Sequence, residues 1–258
     1  MNANSYLLAI LRKNILSDIE RQKLIISSRP IYREIRKWAG PYLLDIIPSG
    51  SFAKGTLIKS SMDIDLLISL KNDTPRTLKE IYESLFSYFD SEMNARKQNV
   101  SIGVHYNGIK IDLVPAKRMP AVSYPHSIYI RKGDTWQKTN IHTHIKLIKE
   151  SPYRNIIILL KVWRELRGLE FPSFLLELVV LEALKRKRAL NFEDRITEVL
   201  RYLVEEFETA RIIDPANTTN IVSDDLDDDE KEKIVRYARN SYDAKYWEEI
   251  IWGLYDKK

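Results

Sequence analysis

The 258-residue sequence contains no cysteine. Disulfides, thiolate zinc sites and cysteine nucleophiles are excluded, and the chain suits a reducing compartment. A secretory leader is also not expected. The opening MNANSYLLAILRKNILSDIE lacks a basic start, a long apolar stretch and a small-residue cleavage site. Long apolar runs are scarce: the longest, Phe174 to Leu184, is interrupted by Glu177 and Glu182 and is too short and too charged to span a bilayer. There is no internal repeat, and low complexity is confined to the acidic run Asp224 to Glu230. These absences predict a cytoplasmic protein with no membrane partner.

What is present fits a soluble globular chain. A hydrophobic share of 44% and a charged share of 30% accommodate one large domain or two intimate lobes. The net charge of +5 is unevenly placed: residues 1–140 carry 21 Lys and Arg against 13 Asp and Glu, residues 141–258 carry 20 against 23. A basic first part suits a polyanionic substrate, although a solvated surface would account for the same charges.

Hydrophobic periodicity divides the chain in two. Residues 5–27 read as helical with a break at Ser17-Asp18, a second helix runs over 31–38, and 42–47 form a short buried strand. A loop carrying Pro75 precedes a helix over 76–95. Residues 100–106 and 109–114 form strands joined by Asn107-Gly108, a strong hairpin signal, with Pro115 closing the second. An extended segment covers 123–131. From about residue 140 the pattern is helical, over 142–149, 154–167, 172–188, 192–208 and 225–240, with loops between, one of them at 214–223. The expected fold class is α+β: a mixed-sheet lobe with N-terminal helices over residues 1–138 and a helical lobe over 139–258.

The chemistry concentrates between Pro48 and Leu70, where G-S-F-A-K-G-T is followed, seven residues after its threonine, by D-I-D-L-L-I. Strand side chains alternate, so Asp63 and Asp65 share one face while Ile64 points into the core. Asp112 sits on a later strand of the same predicted sheet. If those strands are neighbours, three carboxylates converge beside the Gly50-Ser51 turn, where two magnesium (or manganese) ions would serve a nucleoside triphosphate. The amides of Gly50 and Ser51, with the Ser51 hydroxyl, would cradle phosphates, and Asp112 is the candidate general base or shared metal ligand. His142 and His144 lack a cysteine or a nearby carboxylate to complete a metal site and read as structural. The cluster Lys185 to Arg188 closes a helix and could also contact RNA.

G-S-F-A-K-G-T, D-I-D-L-L-I and I-D-L-V-P together resemble the DNA polymerase β-type nucleotidyltransferase superfamily. L-L-K-V-W at 159–163, P-S-F-L-L-E-L at 172–178 and D-P-A-N-T-T-N at 214–220 are similar to the helical lobe of the branch that holds oligoadenylate synthases, archaeal CCA-adding enzymes and cGAS/DncV-like nucleotidyltransferases (CD-NTases). The resemblance implies an active site in the cleft between the lobes. It further implies that Asp63, Asp65 and Asp112 form a metal-binding catalytic triad, that Lys161 and Ser173 reach the donor triphosphate, and that Phe174 stacks on the donor base. The implied activity joins nucleoside triphosphates, ATP among them, into a cyclic or linear oligonucleotide second messenger in antiphage defence, read by a downstream effector. The alternative is an RNA 3′-end transferase of the CCA-adding or poly(A) kind. Only roughly a hundred residues follow the predicted catalytic lobe, enough to close a nucleotide pocket but short for a tRNA-elbow extension.

Overall fold

The computed structural model of the chain describes residues 2–120, 124–187 and 189–252. Helix α1 (Ala3–Asn14) is capped by the Asn2 side chain. The break expected at Ser17-Asp18 is a true boundary, because Ser17 and Glu20 form a capping box that starts α2 (Asp18–Ser28). Helix α3 (Ile31–Ala39) ends at Gly40, and β1 (Leu43–Ser49) leads directly into the short α4 (Gly50–Lys54) and then β2 (Asp63–Leu70). Helix α5 (Leu78–Met93) begins later than Pro75 suggests, since Thr77 and Glu80 supply its capping box.

Strands β3 (Arg96–Lys97) and β4 (Ile102–Tyr106) precede β5 (Ile109–Arg118). The β4–β5 hairpin turns on Asn107 and Gly108, both at positive φ as a two-residue turn of this kind requires. Pro115 does not close β5. It falls where β4 has ended, at the Ile102–Leu113 pair, and β6 (His126–Ile130) has not begun, at the Ala116–Ile128 pair, so no neighbour on that side needs its missing N–H. The start of the expected extended segment, at Ser123, lies outside the described residues. Strand β7 (Thr135–Thr139) pairs with β6 and was not signalled by apolar alternation.

Helices α6 (Ile141–Lys149), α7 (Arg154–Arg167), α8 (Ser173–Ala183) and α9 (Phe192–Glu205) follow. The segment expected to be a loop at 214–223 holds a small hairpin of β8 (Ile213–Asp214) and β9 (Asn217–Ile221). Helices α10 (Asp228–Tyr242) and α11 (Trp247–Ile250) complete the described chain. Because α8 stops at Ala183, the basic run does not close a helix. Lys185 and Lys187 lie in the turn beyond it, paired with Glu182 and Glu198, and Arg188 is outside the described residues. No helix among the described residues is long and apolar enough to cross a membrane.

Among the described residues the main sheet has seven strands in the order β1-β2-β5-β4-β3, with β6 and β7 continuing from the far half of β5. β2 and β5 are parallel, joined by a crossover containing α5; the other pairs are antiparallel. One core packs α2, α3 and α5 on the sheet through Ile31, Ile35, Leu66, Ile68, Tyr82 and Phe89. A larger core holds α7 to α10 together around Trp163, Leu175, Leu200 and Phe207. Each such buried side chain contributes about 1.5–3 kcal/mol. The expected division differs at one end: Leu7, Ile10 and Leu11 of α1 belong to the helical core, so the first helix packs with the second lobe and not with the sheet.

Candidate active site

The sheet register sets the acids in one row. Ser49 of β1 pairs with Asp65 of β2, Asp65 with Asp112 of β5, and Asp112 with Gly103 of β4. Residues directly opposite in neighbouring strands share a face, so Asp65 and Asp112 stand side by side, with Asp63 two residues earlier on the same face. Beneath them Ile64, Leu66, Ile111 and Leu113 are buried in the sheet core. The alternation that fills the core is therefore what lifts the three carboxylates out of it.

Gly50 closes the row from the β1 side. It turns the chain at φ +57° into α4, and a Cβ there would lie 1.6 Å from Asp65 Oδ2. The amides of Gly50 and Ser51 belong to the first turn of α4, where backbone N–H groups lack intrahelical acceptors, and no side chain caps them.

The crowding shows in the proton affinities. Burial first, and then the Asp112 carboxylate, push Asp65 up to about 7, with Lys54 and Lys161 pulling the other way. Asp112 is also raised, by burial and by Asp63, while the hydrogen bond from Gln98 works against that shift. A carboxylate row that resists full ionisation fits a divalent cation. Among the described residues no group of three or more His, Cys, Asp or Glu is placed to hold a metal ion by itself. Open carboxylates of this kind fit ions that take one or two protein oxygens and complete their shell from substrate phosphates and water.

Behind the row lies a buried charge cluster that joins the lobes. Lys54, at the end of α4, donates to Glu177 Oε2 at 2.6 Å, and Lys161 of α7 donates to Glu177 Oε1 at 2.8 Å. Thr56 accepts from Lys161 at 3.0 Å and donates to Glu177 at 3.1 Å. Burial alone would raise Glu177, but the two ammonium groups overcome it and hold the acid at about 2. Burial lowers the Lys161 pKa against the pull of Glu177. Lys161 is thus 2% exposed and bound to Glu177 and Thr56, not presented to an incoming triphosphate.

A cleft of about 720 Å³ opens on the other side, lined by Asp63 and Gln98 from the sheet lobe and by Arg164, Ser173, Asp225 and Glu230 from the helical lobe. Ser173 Oγ accepts from Arg164 at 2.9 Å, and the same guanidinium nitrogen holds the Phe171 carbonyl at 2.8 Å. Phe174 is half-buried and engaged, with the Lys54 ammonium 4.7 Å above its ring and the His144 imidazole 4.3 Å away. As placed, it packs the lobe junction, and a base would stack on it only where one of those neighbours yields. His144 does have a carboxylate partner: it sits 2.7 Å from the buried Asp214, seventy residues on in sequence. Glu177, Lys54, Arg164 and Gln98 escaped the sequence reading. Of these only Glu177, one of two acids that interrupt the apolar run of α8, carried a visible signal.

Comparison with known proteins bears on this arrangement. The model of the Second Messenger Oligonucleotide or Dinucleotide Synthetase domain matches residues 1–151. A "Cyclic AMP-AMP-AMP synthase" of Escherichia coli (strain MS 115-1) is 23% identical over 189 residues, 65% of this chain and 59% of that protein. The match therefore spans less than two thirds of that relative's length. A "CBASS oligonucleotide cyclase CdnC" of Escherichia coli (strain KTE188) is 24% identical over 234 residues, 76% of this chain and 74% of that protein. The solved structure of Escherichia coli MS115-1 CdnC with ATP superposes with a TM-score of 0.79 at 19% identity, covering 95% of this chain and 96% of that one. At that identity the likeness establishes a shared fold.

Proposed function

The chain belongs to the Second Messenger Oligonucleotide or Dinucleotide Synthetase family, and from that premise we propose that it is a template-independent nucleotidyltransferase joining nucleoside triphosphates into a cyclic or linear oligonucleotide. The observation that carries this reading is the register row of Asp65 and Asp112 beside Gly50, with Asp63 on the same face. In the reaction, a ribose hydroxyl of one nucleotide attacks the α-phosphorus of another. A P–O bond forms, the bond to the β-phosphate breaks, and pyrophosphate leaves. Asp112, with one oxygen held by Gln98 and the other not so held, is the acid that takes the hydroxyl proton or shares a cation.

Asp63, Asp65 and Asp112 would hold two divalent cations, magnesium or manganese. When bound, such ions lower the pKa of the attacking hydroxyl and offset charge on the triphosphate. The first-turn amides of α4 and the Ser51 hydroxyl bind phosphate oxygens. The Ser173 hydroxyl does the same from across the cleft, and the buried Lys54–Glu177–Lys161 cluster keeps the two walls in register. The product would serve as a second messenger in antiphage defence in the cytoplasm, read by a separate effector; the family's description as a second-messenger synthetase supports the first of these.

The test is incubation of the purified chain with labelled triphosphates and magnesium or manganese, followed by phosphatase. A phosphatase-resistant small product is the expected result. Labelling only when an RNA acceptor is supplied would replace this reading with an RNA 3′-end transferase. Asp63→Asn combined with Asp65→Asn should abolish turnover in a folded protein, and surviving activity would reject the acid assignment.

A further inference from the structure

Among the described residues, Asp112 is the one acid of the row with a hydrogen-bonding side-chain partner outside it. Gln98 Nε2 donates to Asp112 Oδ1 at 2.8 Å. The orientation of that amide is fixed twice: a carboxylate only accepts, so the nitrogen must face it, and Gln98 Oε1 accepts from the buried Ser101 hydroxyl at 2.9 Å. The Gln98 main chain is pinned as well. Its carbonyl accepts from the Tyr82 hydroxyl at 2.6 Å and from Arg131 Nε at 3.1 Å, and its amide donates to the Ser101 carbonyl at 3.0 Å.

Space for this contact comes from Gly103, directly opposite Asp112 in β4. Its φ is not in the left-handed region, so the backbone there does not require glycine. What requires it is proximity: a Cβ at Gly103 would lie 2.7 Å from Gln98 Nε2 and 3.2 Å from Asp112 Oδ1. Ordering a long glutamine side chain on the wall of an open cleft costs conformational entropy, and the structure accommodates it at three separate points.

We propose that Gln98 is a positioning residue, which occupies one oxygen of Asp112 and thereby aims the other at the reacting centre; this rests on the nucleotidyltransferase reading of the site. Hydrogen bonds behind metal-ligating carboxylates are worth about 10–100-fold in affinity or activity when removed. Gln98 touches neither the transferred phosphate nor the ion in this role. Its loss moves kcat and cation affinity, and leaves the affinity for the triphosphate alone.

Three variants test it, each checked for a wild-type circular-dichroism melt. Gln98→Ala deletes the donor. Gln98→Glu keeps the shape but replaces the donor with an acceptor. Gly103→Ala leaves Gln98 in place and displaces its amide. Two readouts are compared: turnover of labelled triphosphates, and calorimetric titration of the cation-free protein with Mn²⁺ alone. All three variants should lower kcat by about 10–100-fold with KM for the triphosphate within about threefold, and weaken Mn²⁺ binding by a similar factor. Gly103→Ala should add little further loss once Gln98→Ala is present. Wild-type Mn²⁺ affinity and kcat in the variants would overturn the proposal. So would a raised KM at unchanged kcat, which would make Gln98 a substrate contact. If the wild type itself turns over no nucleotide but binds Mn²⁺ more tightly than the variants do, the positioning role stands and the reaction assignment falls.

Discussion

The α-carbon of Gly50 faces the carboxylate of Asp65 so closely that a methyl group on it would overlap Asp65 Oδ2 at 1.6 Å. The turn glycine is therefore also the wall against which the central acid is set. Gly50→Ala combines a clash with a backbone at φ +57°, a conformation that costs a non-glycine residue roughly 1 kcal/mol or more. The variant should lose turnover by at least the factor of about 100 typical of a displaced reacting group, with a lowered melting temperature. Asp65→Ala in the same background should recover most of the stability and none of the activity, since two of the three overlapping atoms are gone. A Gly50→Ala protein with wild-type kcat would show that the turn is not a fitted wall.

Asp65 sets an unusual pH dependence for the cation-free protein. Its carboxyl is held at about 7, against 3.8 without the surroundings, by burial and by Asp112. Between those values the folded state binds a proton that the unfolded state has released, so stability falls as pH rises through roughly 4 to 7. Above 7 the destabilisation is complete. Chelator-treated protein should lose melting temperature steadily over that window, and Asp65→Asn or added Mg²⁺ should flatten the loss. A flat melting profile in the chelator-treated wild type would contradict it.

The lobe junction makes an independent prediction. Glu177 is fully buried between two ammonium groups, and removing one member of a buried pair costs about 3–5 kcal/mol. Glu177→Gln strands both Lys54 and Lys161, whereas Lys161→Met leaves Lys54 and Glu177 as a neutral pair. Denaturant melts should therefore rank Glu177→Gln as clearly less stable than Lys161→Met. Because Glu177 is held at about 2 against 4.5, its contribution is present above pH 4.5 and lost as pH falls towards 2. Equal destabilisation by the two substitutions would mean the cluster is not organised around Glu177.

How far these features could be read from sequence follows from distance along the chain. The acids were legible because D-I-D and I-D-L-V-P alternate with apolar residues and Asn107-Gly108 fixes the hairpin that carries Asp112. The Lys54–Glu177 pair spans 123 residues, and no local pattern ties a lysine in a turn to a glutamate in an apolar helix. Lys161 was read as a cation of the cleft because its motif resembles one; its burial depends on that same unseen glutamate. Gln98 lies between two short strands with no periodic signal, and its role emerges only once Gly103 is set opposite Asp112. Strands β7 and β9 (TWQKT and NTTNI) each carry a single apolar residue, so alternation could not reveal them.

Ser173 opens α8 on the cleft wall with its oxygen already accepting from Arg164 at 2.9 Å. A hydroxyl that accepts from a guanidinium keeps its own proton to give, and here it faces the space shared with Asp63. Under the proposed function it would donate to a triphosphate oxygen, with Arg164 fixing its direction through the Phe171 carbonyl and Glu165. A hydrogen bond to a charged acceptor contributes about 1.5–3 kcal/mol. Ser173→Ala should accordingly raise KM for the triphosphate by about tenfold or more, at nearly constant kcat and melting temperature. Ser173→Thr retains the hydroxyl and should stay near wild type. Arg164→Ala should reproduce the KM effect and also lower the melting temperature, because the α7–α8 turn loses its tie. Steady-state kinetics with each triphosphate varied in turn decides the matter: an unchanged KM in Ser173→Ala would remove Ser173 from the phosphate site and leave it as the first residue of a helix.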